Sequence, residues 1–163
     1  MVCRLLPFNE DGQAVPLDVL GYSAREKNEV EIMKSKSIGG VVVAGVTGSG
    51  KSTTLKNILL SKLTAGEGNI KCISVEDPPE YFIPNCTQIP VNRETEGEQA
   101  FKAAIKAAMR MDPDIIMVGE VRDEATGELL RGAIESGHQV FTTVHASSAF
   151  GILNRLENLG IPR

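Results

Sequence analysis

The segment Gly45-Val46-Thr47-Gly48-Ser49-Gly50-Lys51-Ser52 sets glycines, a lysine and a hydroxyl at the spacing G-x-x-x-x-G-K-[ST]. Glycines 45, 48 and 50 permit backbone angles that turn several N–H groups toward one anion. A helix opening at Lys51 adds the positive end of its dipole. Lys51 is of a length to reach the β- and γ-phosphates of a nucleotide, and the Ser52 hydroxyl suits Mg²⁺. The candidate nucleotide-binding residues are Gly45, Val46, Thr47, Gly48, Ser49, Gly50, Lys51, Ser52 and Thr53, with Ser52 also a metal ligand.

Such a loop works only between a strand and a helix, and both are predicted. Gly40-Val41-Val42-Val43-Ala44 is a short β-branched apolar run, the pattern of a buried strand. Thr53 to Leu63 follows with Leu55, Ile58, Leu59 and Leu63 at helical spacing.

Two further groups of polar residues follow apolar runs. Glu76-Asp77-Pro78-Pro79-Glu80 comes after the run Ile70–Val75. Its prolines stiffen a loop whose carboxylates suit orienting or deprotonating an attacking water; a solvated acidic turn is the equal alternative. Ile115-Ile116-Met117-Val118-Gly119-Glu120 has the form of a Walker B strand, with Gly119 where an Asp is common and Glu120 as the acid. Glu120 would hold Mg²⁺ through water or polarise the attacking water.

His138 precedes the run Gln139–Val144 and His145 ends it. A histidine is more often a structural hydrogen-bonding residue than a functional one, although a γ-phosphate sensor suits position 145. Arg93 and Arg122 fall in loops expected to face a nucleotide. Arg110 and Arg131 fit surface ion pairs better.

The rest of the chain supplies the frame. Val2–Leu6 is expected as a short strand and 9–16 as a connector. Ser23 to Lys36 is predicted as an exposed amphipathic helix with Ser23 and Glu26 at capping-box spacing. Strands are expected at 70–75, 87–91, 114–118 and 139–144, and helices at 99–111, 123–136 and 147–159. Alternating strands and helices imply an α/β fold, a mostly parallel sheet with helices on both faces, and ligands at the carboxyl ends of its strands.

Composition narrows the function classes. The 163 residues are one domain's worth of chain, and 42% hydrophobic residues support a sizeable core. Aromatics are only 4% with no Trp, and net charge is −4, so neither a base-stacking platform nor a global basic field is present. Direct nucleic-acid binding is not expected. No apolar run approaches a transmembrane length and no signal-peptide pattern opens the chain, which points to the cytoplasm. Cys3, Cys72 and Cys86 are odd in number without C-x-x-C spacing, so they are expected as unclustered free thiols, Cys72 as plain core. With two histidines they give no transition-metal set.

Taken together, these motifs resemble the secretion ATPases of type II secretion and type IV pili, the GspE/PilB/PilT-like family. Gly45–Ser52 is similar to its Walker A motif, Glu76 to Tyr81 to its aspartate box, Asp112-Pro113-Asp114 through Asp123 to its atypical Walker B with Gly119, and Gly137-His138 through His145 to its histidine box. Gln139 and Val144 stand where that box usually has leucines. The resemblance covers nearly the whole chain and implies a RecA-like P-loop NTPase that binds ATP and Mg²⁺.

By that resemblance Glu80 is the catalytic glutamate and Glu120 the Walker B acid near Mg²⁺. Arg122 belongs to the nucleotide-facing arginines, and His138 and His145 link nucleotide state to the subunit interface. It further implies a homo-hexameric ring working with an inner-membrane pilus or secretion platform protein, the motor being peripheral to that membrane. Residues 1–16 would be the end of an N-terminal clamp domain with its linker, and 17–163 a RecA-like core truncated at its C-terminus. The expected function is ATP hydrolysis powering pilus assembly, pilus retraction or protein secretion. The alternatives are a nucleotide-binding fragment without turnover, or a nucleic-acid translocase on the same core.

Overall fold

A computed structural model describes residues 15–161. The strand expected at 2–6, Cys3 and most of the connector expected at 9–16 lie outside them. Five strands form one sheet: β1 (Gly39–Gly45), β2 (Cys72–Glu76), β3 (Cys86–Pro90), β4 (Ile115–Val118) and β5 (Gln139–His145). Their order is β1-β5-β4-β2-β3, and every neighbouring pair is parallel. The helices are α1 (Ala24–Ser35), α2 (Lys51–Ala65), α3 (Arg93–Met109), α4 (Glu124–Glu135) and α5 (Ala149–Asn158). None of these helices is long and apolar enough to cross a membrane.

Strand pleating divides the core in two. Ile73 and Val75 of β2, Ile116 and Val118 of β4, and Val140 and Val144 of β5 face Phe101, Ile105, Leu130 and Leu159 of the α3, α4 and α5 side. Cys72, Ile115, Met117 and Phe141 point the other way, against Leu55, Ile58, Leu59 and Leu63 of α2 and Val30 of α1. The helices therefore cover both faces, as expected for an α/β sheet of near-continuous apolar strands.

The predicted elements recur with small shifts at their ends. Ser23 caps α1 with the expected box: its Oγ accepts from the Glu26 N–H, and Glu26 Oε2 accepts from the Ser23 N–H at 2.7 Å. Helix α3 starts six residues earlier than the predicted 99–111. Asn92 caps a first turn there, and Gly97, at φ 81°, breaks that turn from the main helix. Apolar periodicity carried only the main helix, because the first turn of α3 is polar.

The register aligns the carboxyl ends. Gly45 pairs with His145, Val118 with Thr142, Val75 with Val118 and Glu76 with Pro90. The glycine loop and both acidic segments thus leave the sheet at one edge.

Candidate active site

At that edge a cleft of about 410 Å³ opens between the start of α2 and the ends of β2, β4 and β5. Its lining includes Thr47, Gly48, Gly50, Lys51, Ser52, Glu76, Asp77, Glu80, Arg93, Glu120, Arg122 and His145. Residues distributed over a hundred positions of sequence meet here because each follows a strand of the same parallel sheet.

The glycine loop is shaped for an anion. Gly50, at φ 86° and ψ 15°, is the left-handed residue that turns the chain into α2. No side chain caps that helix, so its first N–H groups face the cleft unscreened by a local acceptor. Gly45 serves differently from the expectation that it supplies an unusual backbone angle. It is the last residue of β1, and a Cβ there would lie 2.5 Å from Ser49 Oγ, so a side chain at this position would have to displace that hydroxyl from its place in the loop. Ser49 Oγ folds back to Val46 O at 2.8 Å, and Lys51 Nζ donates to Val46 O at 2.9 Å.

The acidic loop after β2 is stapled by one amide. Gln88 Nε2 donates to Glu76 Oε1 at 3.0 Å and to Tyr81 O at 2.8 Å, while Gln88 Oε1 accepts from the Ile83 N–H at 3.0 Å. Ser74 Oγ donates to the same Glu76 oxygen at 2.6 Å. Tyr81 then ties the loop to α2: its OH lies 3.4 Å from Thr53 Oγ1 and the Lys56 ammonium sits 4.4 Å from its ring centre. Burial of Lys56 moves its pKa down. These contacts hold Glu80 beside the start of α2. Gln88 carried no signal in the sequence, where it is one polar residue in a short strand.

A chain of alternating charges crosses the floor. Arg93 Nε lies 3.5 Å from Glu98 and 3.9 Å from Asp77; Arg122 NH1 lies 3.2 Å from Asp77, and its Nε 3.1 Å from Glu120 Oε2. Beyond this run His145 Nε2 lies 3.0 Å from Glu120 Oε1, within hydrogen-bonding reach. Arg93, expected in a loop facing the nucleotide, lines the cleft from the first position of α3 and is buried there: only 3% of its side chain is accessible, its guanidinium stacks 3.5 Å from the Phe101 ring centre, and it donates to Glu120 O. Burial pushes the Arg93 pKa down against the pull of Glu98. Burial works the same way on Arg122, but its hydrogen bond to Glu120 and the carboxylates around it win, and its pKa rises. Arg155 NH2 adds a bond from α5 to Arg122 O at 3.3 Å.

Gly119 occupies the usual aspartate position of the motif. A Cβ there would meet Glu76 Cγ at 3.6 Å, ordinary contact, so the neighbouring strand's glutamate fills the space beside it. Thr143 Oγ1 donates to Gly119 O at 2.7 Å and fixes the turn that presents Glu120.

Of the residues singled out in the sequence, Gly48, Gly50, Lys51, Ser52, Thr53, Thr47, Glu80, Glu120, Arg93, Arg122 and His145 line the cleft. His138 does not. It lies at the amino end of β5, where its Nδ1 is 3.0 Å from both Ser136 Oγ and Ala133 O at the end of α4. Among the described residues no group of three or more His, Cys, Asp or Glu is placed to hold a metal ion. The cleft does offer hard oxygen ligands, the Ser52 hydroxyl with Glu120 and Glu76. That fits Mg²⁺, which keeps waters and phosphate oxygens as most of its shell.

The sequence matches the family model described as type II/IV secretion system protein over residues 1–163. It is 40% identical over 161 residues to type II secretion system protein E of Pectobacterium carotovorum subsp. carotovorum, covering 99% of this chain and 31% of that protein. It is 38% identical over 163 residues to the type II secretion system ATPase E of Vibrio cholerae, with coverage of 99% and 31%. The chain spans about a third of the length of these curated relatives. Among solved structures it resembles the Legionella pneumophila ATPase DotB, with a TM-score of 0.72, 27% identity, and coverage of 88% of this chain and 39% of that one. It also resembles the pilus retraction motor PilT with bound ADP, with a TM-score of 0.64, 31% identity, and coverage of 90% and 39%. The sheet and its helices are those of the RecA-like secretion and pilus ATPases.

Proposed function

Because the chain belongs to the type II/IV secretion system protein family, we propose that it is the ATP-binding and ATP-hydrolysing core of a motor subunit that powers protein secretion or pilus movement. One observation carries this reading: the uncapped start of α2 and its glycine loop share a cleft with carboxylates at the ends of β2 and β4. An anion-binding helix end alone would only hold phosphate. Acids facing it supply what hydrolysis needs.

In this reading the N–H groups of residues 48–53 surround the β- and γ-phosphates, and Lys51 exchanges its bond to Val46 O for phosphate oxygens. Ser52 and Glu120 would hold Mg²⁺, which would neutralise charge on the phosphates. Glu80, on the loop clamped to α2 by Tyr81, orients the water for in-line attack. Arg122 and His145 grip the Glu120 carboxylate and so couple its position to Asp77 and to the end of β5. Arg93 acts as a buried strut under Glu120 rather than as a phosphate ligand.

The proteins it resembles include a type II secretion system protein and a pilus retraction motor, and in the same reading this chain sits in a homo-hexameric ring on an inner-membrane platform protein, with neighbours completing each site. The test is Mg²⁺-dependent ATP hydrolysis across a protein concentration series, with Lys51→Ala and Glu80→Gln alongside. Lys51→Ala is expected to lose nucleotide binding. Glu80→Gln is expected to keep it and lose turnover, by roughly a hundredfold or more for a water-positioning group. Turnover undiminished in Lys51→Ala would sink the assignment; tight binding without turnover by the wild-type chain at every concentration would reduce it to a nucleotide-binding module.

A further inference from the structure

Cys72 and Cys86 were expected to be unclustered, and the sheet brings them together. They are register partners on β2 and the edge strand β3, so both side chains leave the same face. Their Sγ atoms lie 3.3 Å apart, within hydrogen-bonding distance. Cys72 is fully buried against the α2 side, while Cys86 remains partly accessible.

We infer that Cys86 and Cys72 form a reversible oxidation site for hydroperoxides, with Cys86 the reacting thiol and Cys72 the resolving one. The geometry is that of a bond nearly made: a disulfide needs the sulfurs at about 2.05 Å and the Cα atoms about 4.4–6.8 Å apart, a range that includes the spacing of paired parallel strands. Side-chain movement alone can close the remaining gap.

The division of labour follows from the surroundings. The hydrogen bond with Cys72 pulls the Cys86 pKa down, burial opposes this, and Ser74 adds to the pull. The same bond, with burial, pushes Cys72 up. A lowered, accessible thiol beside a protonated partner is the arrangement that oxidises selectively.

In the first step Cys86 Sγ attacks one peroxide oxygen. An S–O bond forms, the O–O bond breaks, and the other oxygen leaves as alcohol or water after taking a proton. In the second step Cys72 Sγ attacks Cys86 Sγ. The S–S bond forms, the S–O bond breaks, and the hydroxyl leaves as water with the Cys72 proton. Two thiols lose two electrons, the peroxide gains them, and a cellular dithiol reverses the change. The link would tie the edge strand to β2 on the same face of the sheet as Glu76 and Gln88, the pair that anchors the acidic loop.

The experiment treats the Cys3→Ser chain with hydrogen peroxide at low excess, then blocks free thiols in denaturant. Cleavage after Glu76 or Glu80 separates the two cysteines, so a link between them survives as a joined peptide pair within one chain. We expect that pair, with loss of two hydrogens and full recovery by dithiothreitol. In Cys72→Ser the reaction should stop at a Cys86 sulfenic acid trapped by dimedone, and in Cys86→Ser position 72 should stay a thiol. Both thiols surviving, or Cys86 passing to sulfinic acid with no link in the chain that keeps both cysteines, would overturn the proposal.

Discussion

Replacing Gln88 with leucine tests how the acidic loop is held. Leucine keeps the bulk and removes three hydrogen bonds, to Glu76 Oε1, to Tyr81 O and from the Ile83 N–H. At about 1 kcal/mol net for each, the loss is about 3 kcal/mol. Ile83 as a whole residue is 1% exposed, so its N–H is poorly placed to find water, which adds about 1 kcal/mol. Extra apolar burial by leucine returns about 1 kcal/mol. The sum, about 3 kcal/mol, falls on the loop between β2 and β3, because β1, β4 and β5 make none of these contacts. Native-state amide exchange reads it directly: the Ile83 amide should exchange about a hundredfold faster, with β5 amides unchanged. Nucleotide affinity should hold, since the glycine loop is anchored elsewhere, while turnover falls with the misplacement of Glu80. If Ile83 exchange stays within about threefold of wild type, a range below 1 kcal/mol, the amide is not the staple. Gln88→Glu sharpens the test by setting a second carboxylate against Glu76. It should be worse than leucine at neutral pH.

Two stability predictions concern α4. A Cβ at Gly127 would lie 1.8 Å from the Leu159 carbonyl oxygen, so Gly127→Ala must push α5 away and should cost about 3 kcal/mol or more in urea unfolding. An alanine variant within about 0.5 kcal/mol of wild type would contradict that packing. Asp123 caps the same helix, accepting from the Thr126 N–H at 2.7 Å and pairing with Lys102 at 3.1 Å. Burial raises its pKa, but the Thr126 and Lys102 bonds outweigh it and leave the carboxyl below its usual value. A depressed folded pKa means the stabilisation is present above the unfolded value, about 3.9, and is lost as pH falls through the folded one. Asp123→Ala should therefore cost about 1 kcal/mol at neutral pH, and the difference from wild type should shrink below about pH 4. A difference that persists undiminished at pH 2 would assign the loss to something other than the charged cap.

The sequence by itself determined the local pieces. Gly50 and Lys51 follow a β-branched run and precede apolar residues at helical spacing, and backbone sterics with side-chain burial leave few other ways to fold such a segment. The acids of the aspartate box and Glu120 were legible because each ends an apolar run, and parallel strands end on one edge. Tertiary structure decided which of these residues touch. Placing β5 between β1 and β4 set His145 on Glu120, and the length of β5 carried His138 to the far edge. The β2–β3 register put Cys72 beside Cys86 and let Gln88 reach both Glu76 and Tyr81. Arg93 became a buried strut because Phe101, two turns along α3, lies under its guanidinium. Strand order and register are chosen by the summed burial of two core faces. Local periodicity fixes which face a residue points to and leaves open which neighbour it meets.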